Sequence, residues 1–270
     1  MNNLILVLLL FCVFPAWSQN KKTDKILEEG KLLFRLEKAS WNSTDHFLAN
    51  FESKQNNVGG YLSYENEDKT ITSIFYDSHI HDKIVVRYLF DEVPQQPIKI
   101  DSVSSDASPL EQNLILMRTD AQQRVHTDED SFFSFYENTS LNYIPLINSQ
   151  VQKVFILTGP QVNGVVLIGN DYQLIYNDRN EFVKKEKIHN SLVRIPTGSK
   201  EKTISETFHS HVLSDYFNST DICTLLLYRD FVEWKTHIVI SKKYVSIFDM
   251  KKEKIITMKK KAWEKISNMK

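Results

Sequence analysis

The sequence predicts an α+β fold with an N-terminal helix, antiparallel sheets, a C-terminal strand-loop-helix unit and a terminal helix. Three observations predict it. Ile26, Leu27, Leu32, Leu33 and Leu36 recur at the spacing of a helix that buries one face. Short runs rich in Val, Ile, Tyr, Phe and Thr, bounded by Gly, Asn and Asp, recur as strands joined by tight turns do. Between residues 203 and 229, a loosely alternating stretch gives way to a capping cluster and then to helical spacing.

Taken in order, the chain opens with an apolar run, Leu4 to Phe14, that is short for a membrane span. Pro15, Ala16, Trp17 and Ser18 follow it, with small residues where a signal peptidase reads. Residues 1–18 are therefore expected to be a signal peptide, although Lys and Arg are absent before the apolar run. The expected location is secreted or periplasmic, with no retained membrane span. The rest divides on pattern into an N-terminal α+β region, 19–150, and a C-terminal α+β region, 151–270.

The first helix is expected over 24–39, and a second short one from a cap near Trp41 to Phe51. Residues 60–64, 70–76 and 83–90 alternate as an antiparallel meander. A second His pair, His79 and His81, falls in the turn before the third strand, where a polar turn accounts for it. Pro94 to Pro109 connects to a helix over 109–127, with Pro109 at its start. Phe132, Phe133, Phe135 and Tyr136 form an aromatic cluster. In the second half, 151–158 with 164–169, and 171–176 with 182–188, have the form of hairpins. Residues 237–241 and 244–248 make another, and a helix over 259–268 closes the chain.

Composition excludes some functions. Lys and Arg number 33 against 34 Asp and Glu, for a net charge of −1, so there is no basic field to attract nucleic acid. Of two cysteines, Cys12 falls in the expected signal segment, which leaves Cys223 without an internal disulfide partner. Its neighbours Ile222, Leu225 and Leu226 mark it as a small buried hydrophobe.

Chemistry concentrates in one place. His209 and His211 are two apart, so a strand points both to one face, where two neutral imidazoles can grip one metal ion. Ser219 caps the helix that follows, and Asp221 stands in its first turn as a third ligand. The plainer alternative is a polar strand edge followed by an ordinary helix cap. His209-Ser210-His211, then seven residues, then Ser219 resembles the motif of the JAMM (MPN+) zinc isopeptidases. The resemblance implies a JAMM-like α/β core, zinc on His209, His211 and Asp221, an oxyanion role for Ser219, and a peptide or protein substrate cut at an amide or isopeptide bond. In that family two residues separate the Ser from the Asp; here only Thr220 does. Val212 stands where many members have Pro, and the water-activating Glu has no motif to place it. Glu181, Glu186, Glu201 and Glu206 are the candidates, Glu206 on the opposite strand face.

A second resemblance spans most of the chain. Glu28-Glu29-Gly30-Lys31-Leu32-Leu33, Leu157-Thr158-Gly159-Pro160, Gly169-Asn170-Asp171-Tyr172 and Ser219-Thr220-Asp221-Ile222-Cys223-Thr224 resemble pieces of a family of uncharacterised secreted bacterial proteins. It implies export and no activity. The competing reading is a non-catalytic binding or structural protein of the cell envelope, with Tyr61, Tyr64, Phe132 and Tyr136 on its contact surface.

Overall fold

The computed structural model describes residues 3–80, 82–148, 152–198 and 204–268, with residues 3–20 described by backbone alone. The fold is α+β, with helices and several antiparallel sheets. The chain forms two compact units, a central one of residues 32–197 and a terminal one of residues 1–31 with 198–270. The expected division at 150/151 therefore falls inside the central unit. Helix α1 (Asn3–Asn50) contributes residues to both.

In the central unit β1 (Val58–Glu65), β2 (Ile71–Asp77) and β3 (Lys83–Phe90) form the expected meander. Two short strands, β4 (Lys99–Asp101) and β5 (Ser105–Asp106), extend it beside β3. One face is covered by α1: Phe47 stacks on Phe75 at 4.3 Å, and the Ser40 and Ser63 hydroxyls meet at 2.7 Å. The other face takes α2 (Pro109–His126), whose Leu114 and Ile115 pack with Leu62, Ile74, Tyr76 and Ile84. Covered on both sides, β2 is buried at every position from Ile71 to Tyr76. Ser108 caps α2 by accepting from the Glu111 N–H, and Glu111 reciprocates to the Ser108 N–H.

A second sheet packs against the later turns of α2. It contains β6 (Thr139–Ile147) and β7 (Gln152–Pro160), and, after β8 (Val165–Gly169), β9 (Tyr172–Tyr176) and β10 (Phe182–Lys187). Its order is β10-β9-β7-β6, and Met117, Ala121 and Val125 of α2 pack on Val154, Ile156, Tyr172 and Leu174. Strand β8 pairs instead with β11 (Leu192–Pro196). Buried His189 follows β10, its Nδ1 3.2 Å from Asp171 Oδ2.

The terminal unit carries a four-stranded sheet. In chain order it comprises β12 (Glu206–Ser210), α3 (Ser219–Tyr228), β13 (Thr236–Ile240), β14 (Tyr244–Asp249), β15 (Lys254–Lys259) and α4 (Lys260–Ser267). Strands β12 and β13 are parallel neighbours joined through α3; β13, β14 and β15 pair antiparallel. The first part of α1 meets α3 at Gly30. A Cβ built there lies 2.5 Å from Ile222 Cβ and 2.8 Å from the Ser219 carbonyl oxygen. Gly30 is thus needed for close approach. Gly30→Ala is expected to lower stability by about 1–3 kcal/mol through overpacking, despite a helix-propensity gain of about 1 kcal/mol. Thermal unfolding checks it, and an unchanged or higher midpoint would show that the two helices separate without cost.

Several expectations change. The helices expected over 24–39 and 41–51 are one helix, since no Pro or Gly interrupts residues 31–50 and the Ser43 hydroxyl donates back to the Ser40 carbonyl at 3.1 Å. The hairpin expected between 151–158 and 164–169 does not form; β7 pairs with β6 and β9. Of the aromatic contact surface, Tyr61, Tyr64 and Phe132 are half-buried. Tyr61 lies against the Arg118 guanidinium, and the Tyr64 hydroxyl donates to Glu111 at 3.0 Å. The side chains of the expected signal segment, and His81 of the second His pair, lie outside the described residues. Among the described residues no helix is long and apolar enough to cross a membrane.

Candidate metal centre

The site is built on β12, the loop after it and the first turn of α3. On β12, Glu206, Phe208 and Ser210 face outward while Thr207 and His209 are buried. The period continues one residue past the strand, where the His211 N–H donates to the Ile240 carbonyl at 2.9 Å and keeps His211 on the inner face. His209 and His211 are 6 % and 5 % exposed.

The third ligand-bearing side chain arrives on α3. Asn218, not Ser219, is the cap residue, and its N–H donates to Asp221 Oδ2 at 2.7 Å. This bond turns the Asp221 carboxylate back toward the helix mouth. Asp221 Oδ1 lies 3.5 Å from His209 Nε2, and Asp221 Oδ2 lies 3.3 Å from His211 Nε2. Asp221 is 1 % exposed, and the ligand atoms of His209, His211 and Asp221 all lie within 4.8 Å of one another. The three residues expected to converge do converge. No family model, curated protein or solved structure matches this chain.

The outer contacts fix the imidazoles. His211 Nδ1 lies 2.7 Å from the Tyr216 carbonyl oxygen, which can only accept, so the Nδ1–H donates. The Ser214 hydroxyl donates to the same carbonyl at 2.7 Å. His209 Nδ1 lies 2.8 Å from His237 Nε2, and His237 Nδ1 lies 2.7 Å from Thr207 Oγ1. Burial pushes the His237 imidazole down to about 3; His209 adds to the shift and Asp221 opposes it. His237 is accordingly neutral at physiological pH.

The two inward Nε2 atoms are 2.7 Å apart. That is hydrogen-bond contact, shorter than the roughly 3.3 Å between two ligands of a tetrahedral ion with bonds near 2.0–2.1 Å. The carboxylate distances already suit a shared ion, and opening the imidazole pair by about 0.6 Å completes the fit.

His237 is the site residue that the sequence reading missed. It belongs to β13 and stands opposite Thr207 in the parallel register. Ser219 is the first residue of α3, buried, with its carbonyl toward Gly30. The candidate Glu residues have other engagements. Glu181 accepts from Asn177, Glu186 accepts from Gln173 and pairs with Lys184, Glu206 is exposed on the outer face of β12, and Glu201 lies outside the described residues.

Proposed function

We propose that this is an exported metal-binding protein whose terminal unit holds a divalent transition ion on His209, His211 and Asp221. Zinc suits the donors best, since two imidazoles and one carboxylate are a common zinc set with one position left over. The observation that carries the reading is convergence: three ligand side chains, separated by strand, loop and helix, aim their donor atoms at one buried point. Paired outer contacts add support, because ligand imidazoles are ordinarily held by a hydrogen bond on the far nitrogen. The role is structural or binding. Hydrolysis needs a further carboxylate or similar base within about 3 Å of the metal-bound water, and among the described residues of this unit the carboxylate paired with His209 and His211 is Asp221, already used as a ligand.

A second reading is a JAMM-like zinc hydrolase of amide or isopeptide bonds. Favouring it, the ligands sit on a strand-loop-helix unit with Ser219 at the helix start. Cleavage of an isopeptide-linked peptide by the zinc-loaded protein, lost in Ser219→Ala, would select this reading.

The metal reading is tested by purifying the protein without chelator and measuring zinc per chain. About one equivalent is expected, and little in His211→Ala. A wild-type chain that stays empty in micromolar free zinc would end the reading. Export is tested by intact mass from the native host. The mature chain is expected to begin at Gln19, and a mass that retains residues 1–18 would make that segment an anchor instead.

A further inference from the structure

We propose that the outer face of the terminal unit's sheet, together with α4, docks on the surface of an anionic phospholipid bilayer. The proposal is independent of the metal-binding reading, whose histidine ligands lie on the inner face of the sheet.

The sheet register builds the apolar part. Phe208 stands beside Ile238, Ile238 beside Ile247, and Ile247 beside Ile256. Paired residues point to one side of a sheet, so these four form a row across all four strands. The row is covered in the middle and bare at its ends. Ile238 is buried, whereas Phe208 on β12 is 67 % exposed and Ile256 on β15 is 52 % exposed.

Helix α4 adds a second apolar strip. It follows β15 without a loop, and the Lys260 N–H donates to the Lys243 carbonyl at 2.9 Å, which fixes its start beside β14. Ala262, Trp263 and Ile266 share one side of the helix, with Lys260, Lys261, Glu264 and Lys265 around the rest. A surface helix ordinarily buries such a stripe. None of the residues of α4 is buried, and Ile266 is 52 % exposed.

Charge surrounds the apolar groups. Residues 251–267 hold seven Lys against two Glu, in a chain whose net charge is −1. Glu253 is already engaged by Lys31 and Arg229. Among the described residues no carboxylate pairs with Lys254, Lys259, Lys260, Lys261 or Lys265.

This combination selects the occupant. A nucleic-acid backbone would engage the lysines and give Phe208, Ile256 and Ile266 nothing apolar to meet. A second copy in a two-fold contact would set the same lysines against each other. An anionic bilayer satisfies both parts. The apolar side chains enter the boundary between headgroups and acyl chains, and the lysine stems lie along it with their ammonium groups at the phosphates. Eight helical residues reach only about 12 Å, so α4 lies in the surface plane and does not span.

The test is co-sedimentation of the chain from Gln19 with vesicles of equal parts phosphatidylglycerol and phosphatidylcholine, and with vesicles of phosphatidylcholine alone. Starting at Gln19 removes Leu4 to Phe14, an apolar run that would bind lipid by itself. Binding to the anionic vesicles is expected at about 0.1 M salt, weakening as salt is added, with binding to phosphatidylcholine weaker by at least about tenfold. Lys260→Gln combined with Lys265→Gln should weaken it about 30-fold, a factor of about five for each lysine. Ile256→Ser combined with Ile266→Ser should weaken it about tenfold. None of these four positions is buried, and far-UV circular dichroism checks that both variants fold. Failure to bind the anionic vesicles overturns the proposal, as does equal binding by the wild type and both variants. Loss in the lysine variant alone, with equal affinity for a single-stranded oligonucleotide, overturns it in favour of a general polyanion site. Dimerisation abolished by the isoleucine variant, without vesicle binding, overturns it in favour of an interface between copies.

Discussion

Asp221→Asn is expected to empty the metal centre while leaving helix α3 in place. Asn retains a carbonyl oxygen at the same reach, so it can still accept the Asn218 N–H that Asp221 Oδ2 accepts at 2.7 Å. What it loses is the negative charge and the ligand quality of a carboxylate. Two neutral imidazoles and a neutral amide hold a dication far more weakly, and a loss of at least about 100-fold in zinc affinity is expected. Isothermal titration against zinc, with far-UV circular dichroism to confirm the helix, is the measurement. Asp221→Ala separates the two roles. It loses the metal equally and also the cap contact, at a further cost of about 1 kcal/mol in stability without metal. Protein saturated with zinc to about a thousand times the dissociation constant gains about 4 kcal/mol of stability by mass action. The wild-type melting midpoint should therefore rise with zinc, and that of Asp221→Asn should not. Equal zinc affinity in wild type and Asp221→Asn would remove Asp221 from the centre.

Much of this centre was legible because each part rests on a local rule. A strand period of two places His209 and His211 on one face, and an acidic residue in a first helical turn places Asp221 at the helix mouth. His237 was not legible. It comes 28 residues after His209, in a strand whose apolar content marks only burial. Its place beside Thr207 depends on parallel pairing across the α3 crossover, which no local pattern announces. The fold follows the same division. Alternation and short turns betrayed the meander of β1 to β3. Strand β6 escaped notice because Pro145 interrupts it, which an edge strand tolerates. Strand β15 was hidden by its terminal lysines. The pairing of β8 with distant β11 was lost to the nearer hairpin. Gly169, at φ +100°, explains the outcome, for its backbone turns there against the Ser191 carbonyl, with a built Cβ only 2.3 Å from that oxygen.

In the central unit, Arg87→Met is expected to cost about 3–5 kcal/mol, the usual result of leaving a buried carboxylate without its cation. Glu111 is 1 % exposed and takes the Arg87 guanidinium on both oxygens, with Nη2 3.0 Å from each and Nε 3.1 Å from Oε1. The Tyr64 hydroxyl and the Ser108 N–H complete its shell at 3.0 and 2.8 Å. One carboxylate therefore ties strands β1 and β3 to the cap of α2, the helix that packs against both sheets of this unit. Methionine keeps the length of the arginine stem and removes only the charge and its donors. The two remaining donors are neutral and cannot replace the guanidinium. A loss of this size corresponds to a midpoint shift of roughly 10 °C in a unit of this length. The double variant Arg87→Met with Glu111→Met tests the cause. Removing both charges should recover part of the loss, since the penalty comes from the stranded carboxylate and not from the pair as such. Full additivity of the two single variants would show that the ion pair contributes nothing beyond its separate side chains.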